Sequence, residues 1–425
     1  MKIFFFTFGC KVNTCETEAM IQIAKENGYT ITDNKDEADI VVVNSCTVTA
    51  NSDRKVYSYV KKVKLESSNR VVVLVGCLPQ AQEEIKECGA DIVIGNSNKL
   101  KFIEYLKQFM KEKNQLLSIE EYSEENVFHN ISIPRMRNHT RQFLKIEDGC
   151  DRYCAYCIVP FARGNIRSLP LAEIEEQALL FSGNNCKEIV LTGINLSSYG
   201  KGSSYSIVDA VKAASVGGIN RIRLSSVEPD LLTDSIIEGL SECENLCSHF
   251  HLSLQSGSNN VLEAMNRRYT AKEYLGVIEK IKESFPTATF TTDVMVGFPT
   301  ETDRDHQESM NFIKSIGFLK CHVFTYSPRL RTKAALMKQI SVEVKKKRMG
   351  EMLEVAYSLR KKVLEEEIGK TAFIIVEDRN RDGYYEGYTD RYIPVRVYEE
   401  LVPGDMVRVK IISAEDDYCT ACSVL

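Results

Sequence analysis

The first hundred residues alternate between short apolar runs and longer amphipathic segments. The apolar runs, each with the helical pattern that follows it, are 3–8 then 16–27, 40–43 then 53–65, 71–75 then 80–88, and 92–94 then 99–113. The apolar runs are nearly continuous and rich in β-branched and aromatic residues, so they lack the alternation of a strand with one face in water. This pattern predicts a parallel sheet covered by helices on both faces.

A second alternation of strands and helices begins near Arg141. Its predicted strands are 143–146, 188–192, 221–225, 249–254, 289–296 and 320–325, and its predicted helices include 171–182, 230–240, 271–284 and 303–316. The pattern contains six β/α units, which are too few for a full eight-stranded barrel of TIM type. In such barrels the side chains that perform chemistry collect at the carboxyl ends of the strands.

The C-terminal part of the chain changes to short strands separated by Asp-Gly and Pro-Gly turns, at 371–376, 384–388, 393–397, 406–412 and 420–424. This spacing predicts a small antiparallel β-barrel. A polar, weakly periodic stretch predicts a linker at 115–138. The predicted organisation of this α/β protein is therefore a sheet domain at 1–114, the linker, a barrel core at 139–368 and the β-barrel at 369–425.

Composition restricts the class of protein. The chain has 425 residues, 44% of them hydrophobic, and a formal net charge of −5, so its overall charge does not indicate a nucleic-acid binder. No apolar run approaches the length of a membrane span, and the apolar start of the chain is predicted to be a strand, not a secretory signal. We therefore expect the 14 cysteines to be reduced thiols and metal ligands in the cytoplasm, not disulfides.

Three cysteines follow the spacing Cys-x3-Cys-x2-Cys, and we name Cys150, Cys154 and Cys157 the central triad. Thiolates are the usual ligands of iron–sulfur clusters, and a cubane held by four cysteines has no vacant iron. Three close cysteines leave one iron for another ligand, such as the amino and carboxylate groups of S-adenosylmethionine. A zinc site is the alternative, although zinc-binding cysteines usually occur as two pairs. The spacing resembles the signature of the radical S-adenosylmethionine superfamily. This resemblance implies that the six β/α units form a partial (β/α)6 barrel of TIM type.

Three other cysteines occupy equivalent places, one or two residues beyond predicted strands, and we name Cys10, Cys46 and Cys77 the N-terminal triad. In a parallel sheet such residues collect at the carboxyl edge, where α/β proteins bind their ligands. The triad could therefore hold a second cluster. The alternative is that these cysteines are small buried hydrophobic residues, which is the role expected of Cys88, Cys186, Cys243, Cys247 and Cys321.

The segments around the N-terminal triad, TFGCKVN at 7–13, NSCTV at 44–48 and VGCLP at 75–79, resemble the N-terminal domain of the methylthiotransferases. The resemblance covers essentially the whole chain, and the C-terminal module is similar to a TRAM domain. Segments 10–13 and 140–149 resemble the bacterial branch that modifies threonylcarbamoyladenosine in tRNA. Cys15 stands where relatives usually carry an aromatic residue, and we expect that it is not a ligand.

The resemblance implies an enzyme with two [4Fe–4S] clusters, one on each triad, that methylthiolates C2 of N6-threonylcarbamoyladenosine beside the anticodon. The central cluster is expected to reduce S-adenosylmethionine to a 5′-deoxyadenosyl radical that takes hydrogen from C2. The N-terminal cluster is expected to supply sulfur, and a second S-adenosylmethionine the methyl group. The expected partners are the tRNA anticodon stem-loop and a flavodoxin- or ferredoxin-like reductant.

Cofactor binding is expected of residues at the ends of predicted barrel strands, or between two ligating cysteines, namely Tyr156, Gly193, Ser226, Glu228, Gln255 and Val296. The resemblance implies that the segment around Gly193 contacts the amino group of the cofactor and that the segment around Val296 packs against its adenine. No catalytic residue beyond the cluster ligands is identified. We expect the substrate cavity to be bordered by the small β-module as well.

Other functions stay open at this point. Relatives that act on isopentenyladenosine in tRNA, or on an aspartate of a ribosomal protein, share both cysteine triads. In a different class, the chain could be a non-catalytic iron–sulfur electron carrier or an RNA-binding scaffold. Cleavage of S-adenosylmethionine distinguishes these classes, since an electron carrier gains nothing from an open iron.

Overall fold

The computed structural model describes residues 1–82, 85, 87–122, 128, 131–137 and 139–424. The chain divides into two compact units. The first unit consists of Met1–Arg137, Glu147–Leu169 and Ser327–Ala335, and the second consists of Asn138–Ile146, Pro170–Tyr326 and Leu336–Leu425. Both cysteine triads therefore belong to the first unit, and the three segment boundaries predicted from the sequence stay a prediction.

The first unit is built on a parallel sheet that has, within the described residues, six strands in the order β2-β1-β3-β4-β5-β6. Its elements are β1 (Lys2–Thr7), α1 (Lys11–Glu26), β2 (Thr30–Ile31), β3 (Ile40–Ser45), α2 (Ala50–Glu66), β4 (Val71–Gly76), α3 (Cys77–Ala81), β5 (Ile92–Gly95), α4 (Phe102–Glu112) and β6 (Leu116–Ser118).

Helices cover both faces of this sheet, as the near-continuous apolar runs predict. Successive side chains of a strand point to opposite faces. Val42 therefore packs with Met20 of α1 and Phe102 of α4, whereas its neighbour Val41 packs with Val60 of α2 on the other face. The prediction of a doubly covered parallel sheet is confirmed.

Two predictions for the first unit differ from the structure. The helix predicted at 80–88 is observed as α3, which begins directly after β4, because its Pro79 is tolerated in a first helical turn. The linker predicted at 115–138 contains β6, a strand too short to be recognised by its pattern. Parts of the two predicted segments lie outside the described residues, namely 83, 84 and 86, and 123–127, 129, 130 and 138.

The middle of the chain holds a second series of elements. In chain order they are β7 (Gln142–Lys145), β8 (Glu147–Asp148), α5 (Val159–Arg163), β9 (Arg167–Ser168), α6 (Leu171–Gly183), β10 (Glu188–Thr192), α7 (Ile207–Ala214), β11 (Arg221–Leu224), β12 (Ser226–Val227), α8 (Asp234–Ser241), β13 (His249–Leu252), α9 (Asn259–Ala264), α10 (Ala271–Ser284), β14 (Thr289–Val296), α11 (Asp303–Ile316), β15 (Lys320–Thr325) and α12 (Val342–Glu365).

The second unit contains the predicted partial barrel. Its strands pair in parallel in the orders β11-β10-β7 and β12-β13-β14-β15. A single residue, Ser225, separates β11 from β12, so one chain segment belongs to both sheets. The elements β8, α5 and β9 belong to the first unit instead. Among the described residues, none of the helices combines the length and the apolar character needed to cross a lipid bilayer.

The C-terminal module is a closed barrel within residues 371–423, all of which are described. Its strands are β16 (Thr371–Arg379), β17 (Tyr385–Tyr388), β18 (Pro394–Val397), β19 (Met406–Ala414) and β20 (Cys419–Ser423), paired in the order β16-β17-β18-β20-β19. The β18–β20 pair is parallel and corrects the fully antiparallel prediction. Five strands cannot close a ring in which every neighbour alternates in direction, so one parallel pair is required.

Within the second unit, the C-terminal module contacts the first residues of the barrel strands. The guanidinium of Arg221, which begins β11, donates to the carbonyl oxygens of Tyr388 at 3.1 Å and Phe373 at 2.7 Å. The hydroxyl of Thr289, which begins β14, donates to the carbonyl oxygen of Arg391. The strand-end candidates for cofactor binding lie at the opposite ends of these strands. The expectation that the β-module borders their cavity is therefore wrong.

Candidate metal centres

The N-terminal triad lies at the carboxyl edge of the first sheet. Strands β1, β3 and β4 are neighbours in the sheet, and Ser45 of β3 is paired in register with Gly76 of β4. Cys46 and Cys77 follow these two residues directly, and Cys10 follows the end of β1 by three residues. Cys10 is exposed, whereas the other two thiols are buried. The structure thus brings the three predicted thiols to one edge.

Two glycines allow the backbone to approach closely at this edge. Gly9 has φ +125°, and a Cβ placed on it would lie 2.8 Å from the Cβ of Cys46. Gly76 has φ +107°, and a Cβ there would lie 2.6 Å from Asn44 Oδ1 and 2.7 Å from the carbonyl oxygen of Ser45. Residues with a side chain are strained at such φ values and cannot fit these distances. The glycines therefore keep the strand ends close together.

Two buried cations surround the N-terminal triad. Arg163 at the end of α5 pairs with Glu16 Oε1 and with Asp148 Oδ1, each at 2.9 Å, and also donates to Asn13 Oδ1 at 3.3 Å. Lys99 Nζ lies 2.5 Å from Glu16 Oε2. Burial would lower the pKa of Arg163, but Cys77, Glu16 and Asp148 raise it well above its usual range. The guanidinium therefore stays charged inside the first unit.

Burial and the cations act in opposite directions on the thiols. Burial raises the pKa of Cys46 to about 12, and the neighbouring Cys77 adds to this effect. Burial also raises the pKa of Cys77, whereas Arg163 and Lys99 favour its thiolate. A cluster binds thiolates, so these cations help the triad to release its protons on binding iron. The donor set therefore fits an iron–sulfur cluster.

Among the described residues, no group of three or more His, Cys, Asp or Glu side chains is placed to hold one metal ion.

The central triad lies on the loop between β8 and α5. At the base of this loop, Glu147 of β8 pairs with Ser168 of β9. The amide of Cys150 donates to the carbonyl oxygen of Gly164 at 3.0 Å, and the amide of Cys157 donates to that of Cys154 at 2.9 Å. Backbone hydrogen bonds thus close the loop at its base and within the triad.

A small apolar core within the first unit joins Cys77 of the N-terminal triad to the helix that follows the central triad. Ile158 and Ala162, from the residues that directly follow the central triad, pack against Cys77 and Ala81 of α3. Phe161 packs against the same cluster. The helix that follows the central triad therefore contacts the helix that begins with a ligand candidate of the N-terminal triad.

The segment Ser327–Ala335 connects the surroundings of both triads. Arg329 donates to Thr47 Oγ1 at 2.7 Å and to Asp53 Oδ2 at 2.5 Å, and Thr47 directly follows Cys46. Near the other end of the segment, the amide of Ala334 donates to the carbonyl oxygen of Ala155 in the central loop at 2.8 Å. The segment is therefore anchored to both triad-bearing loops.

The strand-end candidates for cofactor binding lie in the second unit at the carboxyl ends of parallel strands, as predicted. Gly193 follows β10, Ser226 lies in β12, Glu228 follows β12, Gln255 lies three residues beyond β13, and Val296 ends β14. Tyr156 lies in the first unit, in a turn between Cys154 and Cys157. Their roles in binding the cofactor stay predictions.

Two buried polar atoms distinguish this edge of the second unit. Gln255 is 7% exposed and has φ +69°, and its Oε1 has no hydrogen-bond partner in the described part of the chain. Ser225 is also 7% exposed, and its Oγ equally lacks a partner among those residues. Buried polar atoms are nearly always hydrogen-bonded in native proteins, so these two fit a polar ligand. Glu228, in contrast, forms an ion pair with Arg267.

Sequence reasoning did not identify Arg163, Lys99, Glu16, Asp148 or Ser225. Arg163 does carry a signal, because it is a charged residue at the end of an otherwise apolar helix. The other four lie on elements whose sequences give no reason to expect charge pairing or a ligand. Their roles depend on contacts between distant parts of the chain, such as the pair between Arg163 and Glu16, 147 residues apart.

Two family models match the chain. Residues 144–313 match the Radical SAM superfamily, and residues 2–95 match a family described as Uncharacterized protein family UPF0004. Among solved structures, the cobalamin- and [4Fe–4S]-bound radical S-adenosylmethionine methyltransferase TsrM from Kitasatospora setae aligns with a TM-score of 0.56. That alignment covers 79% of this chain and 77% of TsrM at 12% identity, and it supports the fold.

Curated relatives are similar along nearly the whole chain. The chain is 35% identical to the threonylcarbamoyladenosine tRNA methylthiotransferase MtaB of Bacillus subtilis, covering 97% of this chain and 94% of that protein. It is 33% identical to the tRNA-2-methylthio-N(6)-dimethylallyladenosine synthase of Acetivibrio thermocellus, covering 95% of this chain and 87% of that protein.

These matches confirm the predicted enzyme class, a radical S-adenosylmethionine methylthiotransferase, and exclude the non-catalytic alternatives. They also confirm the predicted cofactors at the level of the family, namely a pair of [4Fe–4S] clusters and S-adenosylmethionine. The chain therefore belongs to the radical S-adenosylmethionine methylthiotransferase family, in which it is similar to the MtaB-like branch.

Proposed function

We propose that this enzyme methylthiolates C2 of N6-threonylcarbamoyladenosine beside the anticodon of tRNA. The observation that supports this most directly is that two cysteine triads occur in one compact unit, where the helix that follows the central triad packs against the helix that begins with Cys77. The choice of substrate rests on two relatives that are similar over almost the entire chain and are named for threonylcarbamoyladenosine in tRNA. The cytoplasm is then the expected location, the tRNA anticodon stem-loop the macromolecular substrate, and a flavodoxin- or ferredoxin-like protein the electron source.

Each triad is assigned one [4Fe–4S] cluster. When bound, the cluster on the central triad supplies the electron that cleaves S-adenosylmethionine, and the cluster on the N-terminal triad supplies the sulfur. Three cysteines at each site leave a coordination position for cofactor or sulfur, which a fourth cysteine would occupy.

The N-terminal triad lies near a buried network in which two cations pair with two carboxylates. Neighbouring groups raise the pKa of Arg163 well above its usual range, so its guanidinium stays charged, and Lys99 pairs with the same Glu16. Glu16 and Asp148 fix the position of the guanidinium. Arg163 and Lys99 lower the pKa of Cys77 and so favour its thiolate, whereas Glu16 acts in the opposite direction, and we expect the two cations to stabilise a negatively charged sulfur site.

The residues at the strand ends of the second unit are assigned to S-adenosylmethionine. Gln255 Oε1 and Ser225 Oγ are buried acceptors without a partner among the described residues, so an ammonium or hydroxyl group of the cofactor can satisfy them. Gly193, Ser226, Glu228 and Val296 lie at neighbouring strand ends and complete the proposed binding set.

The test uses the purified, reconstituted enzyme with S-adenosylmethionine, a reductant and two tRNA substrates. One tRNA carries threonylcarbamoyladenosine, and the other carries dimethylallyladenosine, the nucleoside in the names of several relatives. Nucleoside mass spectrometry should detect the 2-methylthio product in the first tRNA and not in the second. Product in the dimethylallyl substrate alone would reassign the substrate, and product in neither tRNA would contradict the proposal.

Dimethylallyladenosine in tRNA is the second candidate substrate because a specific observation favours it. Relatives named for that nucleoside are 33% identical to this chain, which differs little from the 35% of the MtaB relative. A ribosomal protein as substrate has no comparable observation in its favour.

A further inference from the structure

Two residues with positive φ both contact the aromatic ring of Phe161, four residues beyond the central triad. Among the described residues, seven that are not glycine have positive φ, and they include Tyr153 at +47° and Arg331 at +71°. The ring of Tyr153 meets the ring of Phe161 edge-on, with centroids 5.9 Å apart. The guanidinium of Arg331 lies 4.5 Å from the centroid of the same ring. We name Tyr153, Phe161, Leu330 and Arg331 the Tyr153–Arg331 patch.

The patch is exposed and held in place. Tyr153 is 50% exposed, Leu330 is 70% exposed, and Arg331 is exposed as well. The hydrogen bonds of Arg329 and Ala334 described above anchor the chain on both sides of Leu330 and Arg331. The exposed residues Leu330 and Arg331 are therefore held next to the two triad-bearing loops of the first unit.

A contribution to the stability of the fold does not explain why tyrosine and arginine occupy positions 153 and 331. A side chain at positive φ strains the backbone, and glycine at the same position removes this cost. Arg331 has no carboxylate partner among the described residues, and its contact with Phe161 at an exposed site stabilises the fold only weakly. Strained residues that persist at the surface cluster at functional sites. Here the strain places a cation and an aromatic ring beside the loop of the central triad.

Resting on the proposed tRNA substrate, we propose that the Tyr153–Arg331 patch binds the nucleotides that flank the modified adenosine. Proteins recognise unpaired RNA by stacking bases on aromatic rings and guanidinium planes. Tyr153 stacks on a flanking base, while Arg331, fixed by Phe161, contacts the phosphate next to it. Leu330 covers the apolar edge of the base. The patch places an aromatic ring for a base next to a guanidinium for a phosphate. An acidic peptide would use the guanidinium but would not need the ring, so the patch fits RNA better.

The test compares Arg331→Gly with Lys113→Gly in the reconstituted holoenzyme. Lys113 is a matched control because it is also exposed, has φ +57° and lies over a phenylalanine ring, with Nζ 5.7 Å from the Phe109 centroid. Each change removes one charge, one cation–π contact and one strained residue. Both variants should melt at or above the temperature of the unchanged protein, so a loss of binding cannot result from unfolding.

Fluorescence anisotropy with a labelled anticodon stem-loop RNA, at several salt concentrations, measures affinity and its salt dependence. Arg331→Gly should weaken binding about fivefold near 0.1 M salt and reduce the slope of log K against log salt by about 0.7, as expected for one lost phosphate contact. Tyr153→Leu should weaken binding about tenfold without changing the slope, because stacking carries no charge. Lys113→Gly should change neither quantity.

The outcomes separate this inference from the proposed function. If the unchanged enzyme modifies tRNA and Arg331→Gly binds RNA with the same affinity and salt slope, the inference is wrong and the function stands. Equal loss of affinity in Arg331→Gly and Lys113→Gly also overturns it, since any surface charge then has the same effect. If the unchanged enzyme neither binds nor modifies tRNA, the proposed function fails and the inference fails with it.

Discussion

The two cysteine triads are built in different ways. The N-terminal triad is assembled from three strand ends that are far apart in sequence and become neighbours only when β1, β3 and β4 pair. The central triad comes from one short loop, whose backbone hydrogen bonds close it on itself. Forming the N-terminal triad therefore requires the closure of long loops, which costs more conformational entropy than forming the central triad.

Because the two triads are built differently, different contacts are needed to keep each of them intact. The N-terminal triad depends on close backbone contacts at the sheet edge, marked by Gly9 and Gly76. The central triad depends on the position of α5, which is held by the apolar contact with α3 and by the ion pairs of Arg163. Arg163 belongs to both sites, because it follows the central loop in sequence and pairs with Glu16 beside the N-terminal triad.

The largest effect is expected when either triad is removed. The combined changes Cys150→Ala, Cys154→Ala and Cys157→Ala should abolish reductive cleavage of S-adenosylmethionine, measured as 5′-deoxyadenosine. The combined changes Cys10→Ala, Cys46→Ala and Cys77→Ala should leave cleavage measurable and abolish the 2-methylthio product. The reason is that one site makes the radical and the other supplies sulfur. Equal loss of cleavage in both variants would contradict the division of labour.

Arg163→Gln should affect both sites. The change removes one cation from a buried network in which Lys99 still pairs with Glu16 and Arg167 still pairs with Asp148, so we expect a loss of about 1–3 kcal/mol of unfolding free energy. Chemical denaturation of the apoprotein, followed by circular dichroism, measures this loss. Arg304→Gln, in an ion pair whose guanidinium side is 87% exposed, is the control and should change stability little. A loss below about 1 kcal/mol for Arg163→Gln would show that the pair is not buried as described.

Gly76→Ala should damage the N-terminal triad selectively. A methyl group at this position meets Asn44 Oδ1 at 2.6 Å and adds strain at φ +107°, with an expected cost of about 1–3 kcal/mol. The reconstituted variant should lose iron from the N-terminal triad while cleavage of S-adenosylmethionine persists. Gly28→Ala is the matched control, since φ is +80° and nothing lies within 4 Å of the added Cβ. Equal iron loss in both variants would refute a specific role for the close approach.

The smallest effect is expected for Cys15→Ala. Cys15 lies inside α1, five residues beyond Cys10, whereas the three ligand candidates follow strand ends. The variant should keep both its iron content and its turnover, and it serves as the control for the triad substitutions. Loss of one cluster in this variant would mean that the ligands of the N-terminal site have been misidentified.

The sequence was sufficient to predict the features that repeat locally. The strand pattern at Thr289–Val296 and the helix Ala271–Ser284 match the structure at both ends, because their apolar periodicity extends over many residues. The places of both triads in the fold were predicted as well, one from its spacing and the other from its position after strands, and their binding of iron stays a prediction. The strands β2 and β6 were missed because two or three residues carry too little pattern.

Contacts between distant segments were not predictable in the same way. The partners of Arg163 come from α1 and β8, and no local pattern relates them. Ser225 was passed over in favour of its neighbour Ser226, since only the structure shows which hydroxyl is buried without a partner among the described residues. The position of the C-terminal module at the strand starts depends on hydrogen bonds from Arg221 and Arg223 to its backbone carbonyls, which its own sequence does not reveal.

The most direct test of the two-site account is the iron and sulfide content of the anaerobically reconstituted protein. The unchanged chain should bind about eight irons and eight sulfides, and each alanine-substituted triad variant should bind about four of each. Mössbauer spectra of the two variants should each show one [4Fe–4S] cluster. About four irons in the unchanged protein, with all six triad cysteines present, would contradict the assignment of one cluster to each triad.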